Sequence, residues 1–298
     1  MIPSWLWAVF TVVASAGQTA RNAMQHELTK SLGAAGATHV RFLFGSPFAL
    51  LFLAVICSAT GEGLPQPGAA FWAWTLLGAS TQILATALML LAMTERSFVV
   101  TVAYLKTEPV QVAFFGLIFL DDVLKLPALI AIALAMAGVF LISFKPGVRG
   151  KSIKPALWGL GAATGFALSA VGYRGAILSL TGTPFVMAAS FSLAVGITAQ
   201  ALLLSAWLAW RERAVLVAIV RLWRPSLFAG FMGALSSEFW FLALALAAAA
   251  SVRTLALVEV LFAQATTHFL FKQKTTAREI AGIVLVVAGC AVLVWTSS

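Results

Sequence analysis

Apolar residues run along this chain in stretches of about 20, separated by short polar breaks. A helix needs roughly 20 apolar residues to cross the ~30 Å hydrocarbon core, because it rises 1.5 Å per residue. On that measure the chain divides into roughly ten spans: 3–23, 37–57, 70–93, 97–120, 126–144, 155–175, 184–208, 226–249, 251–271 and 277–296. All must be helices, since lipid offers no partner to an unpaired backbone group. Turn chemistry marks the breaks, most clearly in Gly61-Glu-Gly-Leu-Pro-Gln-Pro-Gly68 and in Lys145-Pro-Gly-Val-Arg-Gly-Lys151.

The pattern is written twice. An offset of 151 residues pairs Ile2 with Ile153, Leu6 with Leu157, Trp7 with Trp158, Glu108 with Glu259, and Gly138 with Gly289. Each copy holds an odd number of spans, so the second enters the membrane from the opposite face. The expected fold is an all-α membrane protein of ten transmembrane helices in two inverted five-helix repeats, 1–146 and 152–298. Such repeats commonly place a substrate site near the midplane, between the copies. Small residues at close-packing spacing, Gly161 with Gly165 and Ala229 with Gly233, suit tight helix contacts in lipid.

Composition strengthens the membrane reading. Of 298 residues, 61% are hydrophobic and 10% charged, against about 25% charged for a soluble domain. The net charge of +9 would suit nucleic acid, but the basic residues sit between apolar runs, as the positive-inside rule arranges them. No nucleic-acid partner is expected. Cys57 and Cys290 lie in or beside apolar runs and imply no disulfide framework. The start, Met1-Ile-Pro-Ser-Trp5, lacks a basic n-region and reads as the approach to a first membrane helix.

Lys and Arg also suggest an orientation. The odd-numbered connections, with the flanking helix ends, carry Arg21, Lys30, Arg41, Arg96, Lys145, Arg149, Lys151, Lys154, Arg211, Arg213, Arg221, Arg224, Lys272, Lys274 and Arg278. The even ones carry Lys125, Arg174 and Arg253. Odd connections are therefore expected in the cytoplasm and both termini outside, in the cell's inner (cytoplasmic) membrane.

The chemistry lies in the polar residues at mid-span. Glu108, Glu238 and Glu259 each stand deep in an apolar run, where an acidic side chain costs about 2.5–3.5 kcal/mol on the lenient insertion scale. Each must be neutral, paired, or facing a wet cavity. A carboxylate there can exchange protons or hold a cationic group. The bland alternative is an ion pair of Glu108 or Glu259 with Lys106 or Arg253. Lys106 itself can pair with Glu238 or Glu259, or bind a substrate carboxylate. Pro109 removes an intrahelical hydrogen bond near Leu105 and makes the segment a hinge candidate. Tyr104, Glu108 and Gln111 share a face if the helix is regular. Gln82, Gln264 and Trp240 add polar or aromatic groups at depth. His39 and His268 read as hydrogen-bonded residues. Gln18, Arg21 and Asn22 form a polar helix end, a gate or an interfacial anchor. No catalytic motif, metal-spaced cluster or phosphate loop is present, so neither an enzyme nor a cofactor is expected.

Several motifs, in order, resemble the drug/metabolite transporter superfamily, specifically its ten-helix EamA-type members. They are Arg41-Phe-Leu-Phe-Gly45, Tyr104-Leu-Lys-Thr-Glu-Pro109, Phe119-Leu-Asp-Asp122, Leu134-Ala-Met-Ala-Gly-Val-Phe-Leu141 and Leu285-Val-Val-Ala-Gly-Cys290. The second copy departs in having Val260 where the first has Pro109. The resemblance implies a secondary transporter of small metabolites, often an exporter of amino acids or related compounds. The expectation is alternating-access transport of a small cationic or zwitterionic substrate, such as an amino acid or amine, with protons as candidate partners. The site would be Glu108, Glu259, Glu238, Lys106, Tyr104, Gln111, Gln82, Gln264 and Trp240, hinged at Pro109. Uncoupled facilitated flux, or a non-transporting receptor or scaffold, are the competing readings.

Overall fold

The computed structural model describes residues 2–94, 104–143, 154–262 and 276–296, and every regular element among them is a helix. In chain order these are α1 (Leu6–Thr60), α2 (Ala69–Thr94), α3 (Glu108–Leu120), α4 (Leu126–Ser143), α5 (Lys154–Ser179), α6 (Phe185–Arg211), α7 (Arg213–Arg221), α8 (Trp223–Leu246), α9 (Ala249–Leu255) and α10 (Ala277–Thr296). A 3-10 turn, Ala256–Val258, follows α9. Among the described residues, five stretches are long and apolar enough to cross a membrane: Glu27–Thr60, Ala69–Ala92, Phe185–Arg211, Trp223–Leu246 and Ala277–Thr296. Large apolar side chains also face outward, among them Leu51, Leu84, Phe114, Leu202 and Val284. Water would penalise such a surface, whereas hydrocarbon does not. The protein is a multi-pass helical membrane protein.

The connection expected over 24–36 is largely helical. α1 changes direction at one residue, Gly33, at φ 66° and ψ 176°, a conformation essentially confined to glycine. The Gln25 side chain donates to the Ala37 carbonyl at 3.0 Å across this corner. Twelve residues of straight helix would separate them by about 18 Å, so the chain folds back there. Pro47, inside the second half, takes an N–H from the ladder. The Leu43 carbonyl it strands accepts the Ser46 hydroxyl at 3.1 Å.

α7 is an element the sequence reading lacked. It is short, with Arg213 and Arg221 at its ends and Ile219 buried. Trp210 stacks under Arg211, and Trp223 under Arg224, at either side of it. This is the composition of a helix lying at a membrane–water interface.

Packing follows a regular scheme. α1 lies along α8 and α6, α2 along α5 and α6, α3 against α5 and α9, and α4 along α10. Small residues permit the closest approaches. A Cβ on Gly138 would stand 2.5 Å from the Gly282 carbonyl and 2.7 Å from the Val286 nitrogen. One on Gly289 would stand 2.7 Å from both the Ala131 carbonyl and the Ala135 nitrogen. α4 and α10 therefore touch backbone to backbone, where dispersion replaces the missing hydrophobic drive.

Candidate functional site

Two of the three expected mid-span acids, Glu108 at the start of α3 and Glu259 just beyond the turn that follows α9, line one cavity. The segment before α3 is not a regular helix. It breaks at Lys106–Thr107, and α3 starts at Glu108 with Pro109 in its first turn. Proline is tolerated there, because that N–H has no helical acceptor. Thr107 satisfies the freed backbone, donating to the Tyr104 carbonyl from its N–H (3.0 Å) and its hydroxyl (2.7 Å). Tyr104 therefore does not continue the face of Glu108 and Gln111, and its side chain is exposed.

The break was expected in the first copy alone. The structure corrects this: the 3-10 turn Ala256–Val258 lies at the equivalent place, although no proline stands nearby. Geometry supplies a reason. Arg253 and Glu259 are six residues apart, about 120° around a regular α-helix. Three residues wound at 3-10 pitch narrow that to about 60°. Both side chains can then face the same neighbour.

That neighbour is the Lys106–Glu108 segment. Lys106 forms an ion pair with Glu259, and Arg253 with Glu108. All four side chains are 13–19% exposed. The Gln18 amide also donates to Glu259 at 3.3 Å, and Arg253 lies over the Trp240 ring at 4.8 Å. The crossed pairs border a cavity of about 150 Å³ that Gln18, Arg21, Asn22, Phe166 and Leu257 also line. A smaller chamber of about 30 Å³ shares Gln18, Phe166 and Arg253 with it, and adds Arg41, Gln82, Tyr173, Ser237, Trp240 and Phe241.

The remaining expected residues lie differently. Gln82 lines the small chamber and accepts from Gln200 at 2.8 Å. Gln111 accepts from Thr164 at 2.7 Å and donates to Thr107 at 3.0 Å, outside the cavity lining. Glu238 is buried in α8 and takes a hydrogen bond from Ser190 in α6, again away from the lining. Gln264 and His268 lie outside the described residues. His39 pairs with Ser205 at 2.9 Å. Cys57 and Cys290 are free thiols.

Two arginines counted with the first connection, at its flanking helix ends, are interior residues. Arg21 and Arg41 are 2% and 4% exposed, because the helices of α1 run on to Gly33 and leave no loop to hold them. The available signal was their position inside the spans 3–23 and 37–57, where a basic residue needs a partner or a cavity.

Beside the small chamber, which Leu244 lines, a clamp joins three elements. Arg174 on α5 grips Asp122, just after α3, through two bonds of 2.8 and 3.0 Å. It also donates to the Leu244 and Ala247 carbonyls at the end of α8, both at 2.7 Å. Those carbonyls lack helical donors, so a guanidinium there satisfies backbone and charge together.

Fold and cavity thus define a multi-pass membrane protein with a polar, ion-paired interior. Residues 3–144, just under half of the chain, match the model of the EamA-like transporter family. A solved crystal structure, 14% identical, superposes with a TM-score of 0.69 over 97% of this chain and 94% of its own. That likeness is one of fold. No curated protein matches the chain.

Proposed function

We propose that this protein is a secondary transporter that moves a small metabolite by alternating access through the cavity bounded by Glu108 and Glu259. The reading takes the chain as ten membrane helices in two inverted halves, 1–146 and 152–298. The α4–α10 contact supports that symmetry. Gly138 meets residues 282 and 286, and Gly289 meets residues 131 and 135; adding or subtracting 151 converts one contact into the other. The helix pairs α1–α8 and α2–α5 exchange under the same operation.

The observation that carries the function is the crossed ion pairing. Each acid of one half is held by a cation of the other, beside a polar cavity. Such pairs form in one arrangement of the halves and must separate when the halves rock about the site. When a pair opens, its glutamate becomes free to take a proton, which is the route to proton coupling. The family tendency favours export, and the charge distribution favours the inner membrane with both termini outside the cytoplasm.

The test is transport into proteoliposomes of Glu108→Gln and Glu259→Gln with and without a pH gradient. Both variants should insert and lose pH-driven uptake. Wild-type uptake by both, at matched protein levels, sinks the mechanism. The pairing also supports a second reading, uncoupled flux with structural glutamates, which predicts uptake in the wild type that ignores the gradient.

A further inference from the structure

Lys106 and Arg253 are neutralised by the two glutamates, but the two adjoining chambers hold two more cations, Arg21 and Arg41. We propose that Arg21 and Arg41 form the receptor for an oxyanion, the carboxylate or phosphate group of a small anionic substrate. This rests on the transporter reading and narrows its substrate.

Placement comes first. Arg21 lies twelve residues before the Gly33 corner and Arg41 eight after it, about 18 and 12 Å along their helices. That is near the middle of a hydrocarbon core of about 30 Å. Both stems pass over Gly233 of α8. A Cβ there would stand 3.3 Å from Arg21 Cδ and 3.5 Å from Arg41 Cγ. A residue without a side chain thus makes room for two arginines abreast.

Their charges are unanswered among the described residues. Arg21 donates to Asn22 at 2.8 and 3.3 Å, and Arg41 to Thr86 at 3.4 Å. Neither has an acidic partner there, and Arg21 Nη1 and Arg41 Nε are buried without any acceptor. Other carboxylates are committed elsewhere: Glu238 to Ser190, and Asp122 to Arg174. Four cations therefore line the two chambers against two carboxylates.

Two like charges side by side in a water-poor interior are costly unless an anion joins them. Guanidinium forks match the geometry of a carboxylate or phosphate. A cationic substrate would meet an excess of positive charge and no free acid. Size sets a further limit. A cavity of about 150 Å³ holds a molecule about as large as benzene, and the aromatic walls Phe166, Tyr173 and Trp240 suit a compact organic body.

The test uses full-length protein in neutral-lipid nanodiscs, at constant ionic strength. Its thermal unfolding is followed with lactate, succinate or inorganic phosphate, and with lactamide and ethanolamine as neutral and cationic controls. At least one anion should raise Tm saturably, as specific binding to the folded state requires, and the controls should not. Whichever anion acts separates carboxylate from phosphate. Arg21→Gln and Arg41→Gln should abolish the shift. Arg41→Lys, which keeps the charge and guards against misfolding, should weaken binding at least tenfold. No shift with any anion, a shift with ethanolamine, or an anion shift that survives all three variants overturns the assignment. Counterflow in proteoliposomes separates the two claims. Anion binding without exchange removes the transporter reading and leaves the site. Exchange of ethanolamine without anion binding keeps transport and removes the oxyanion site.

Discussion

The pair Glu108–Arg253 yields a quantitative prediction. Replacing Glu108 by Gln leaves the Arg253 guanidinium, 13% exposed, facing a neutral amide. Two unit charges about 4 Å apart attract by about 4 kcal/mol at an effective dielectric constant of 20. Breaking a fully buried pair costs about 3–5 kcal/mol. The adjoining cavity admits some screening, and the stack on Trp240 persists in the variant, so about 2–3 kcal/mol is expected. Arg253→Gln should cost less, about 1–2 kcal/mol, because a stranded carboxylate can take a proton while a guanidinium cannot give one up. The double variant strands neither charge. It should fall short of the sum of the singles by about 2 kcal/mol. Reversible unfolding in mixed micelles titrated with sodium dodecyl sulfate would measure all three. Additivity within about 0.5 kcal/mol would show that the two side chains do not meet, and would refute the crossed pairing.

Three further outcomes follow from other contacts. Arg174→Gln removes the clamp on Asp122 and on the end of α8, so Ser169→Cys, at a buried position that lines the small chamber, should react several-fold faster with a soluble maleimide in that background; an unchanged rate would mean that the clamp closes nothing. Gly289→Ala pushes a methyl against backbone at 2.7 Å and should destabilise by about 1–3 kcal/mol. Gly138→Ala should do the same, and the double variant should cost less than the sum, because both separate the same helices; thermal unfolding decides. Glu238→Gln keeps an acceptor for the Ser190 hydroxyl and should preserve uptake, with stability within about 1 kcal/mol; lost uptake would return Glu238 to the site.

Much of the architecture was legible as a one-dimensional pattern. Run length against bilayer thickness predicts helices over the spans; the described parts of those spans are largely helical, and five stretches among the described residues are long and apolar enough to cross a membrane. Lipid makes this possible, since it removes every alternative to the helix. The site was legible in part. Glu108, Glu259 and Lys106 stood out as charges where charge is expensive, and the structure brings all three to one cavity. Glu238 carried the same signal, yet its helix turns it toward Ser190. Depth in a span does not say which way a side chain faces.

By itself, then, the sequence determined the membrane class, the helical content and which residues were too polar for their surroundings. Local pattern and solvent settle those matters. Only the tertiary structure decided who answers whose charge. Lys106 meets Glu259 across 153 residues of chain. The second break, Ala256–Val258, appears without a proline, because two distant partners draw Arg253 and Glu259 to one face. Arg21 and Arg41, which in sequence stand at the two helix ends flanking the first connection, become interior residues once Gly33 folds α1 back on itself. Long-range electrostatics and helix rotation set these features, and neither is written in the spacing of apolar residues.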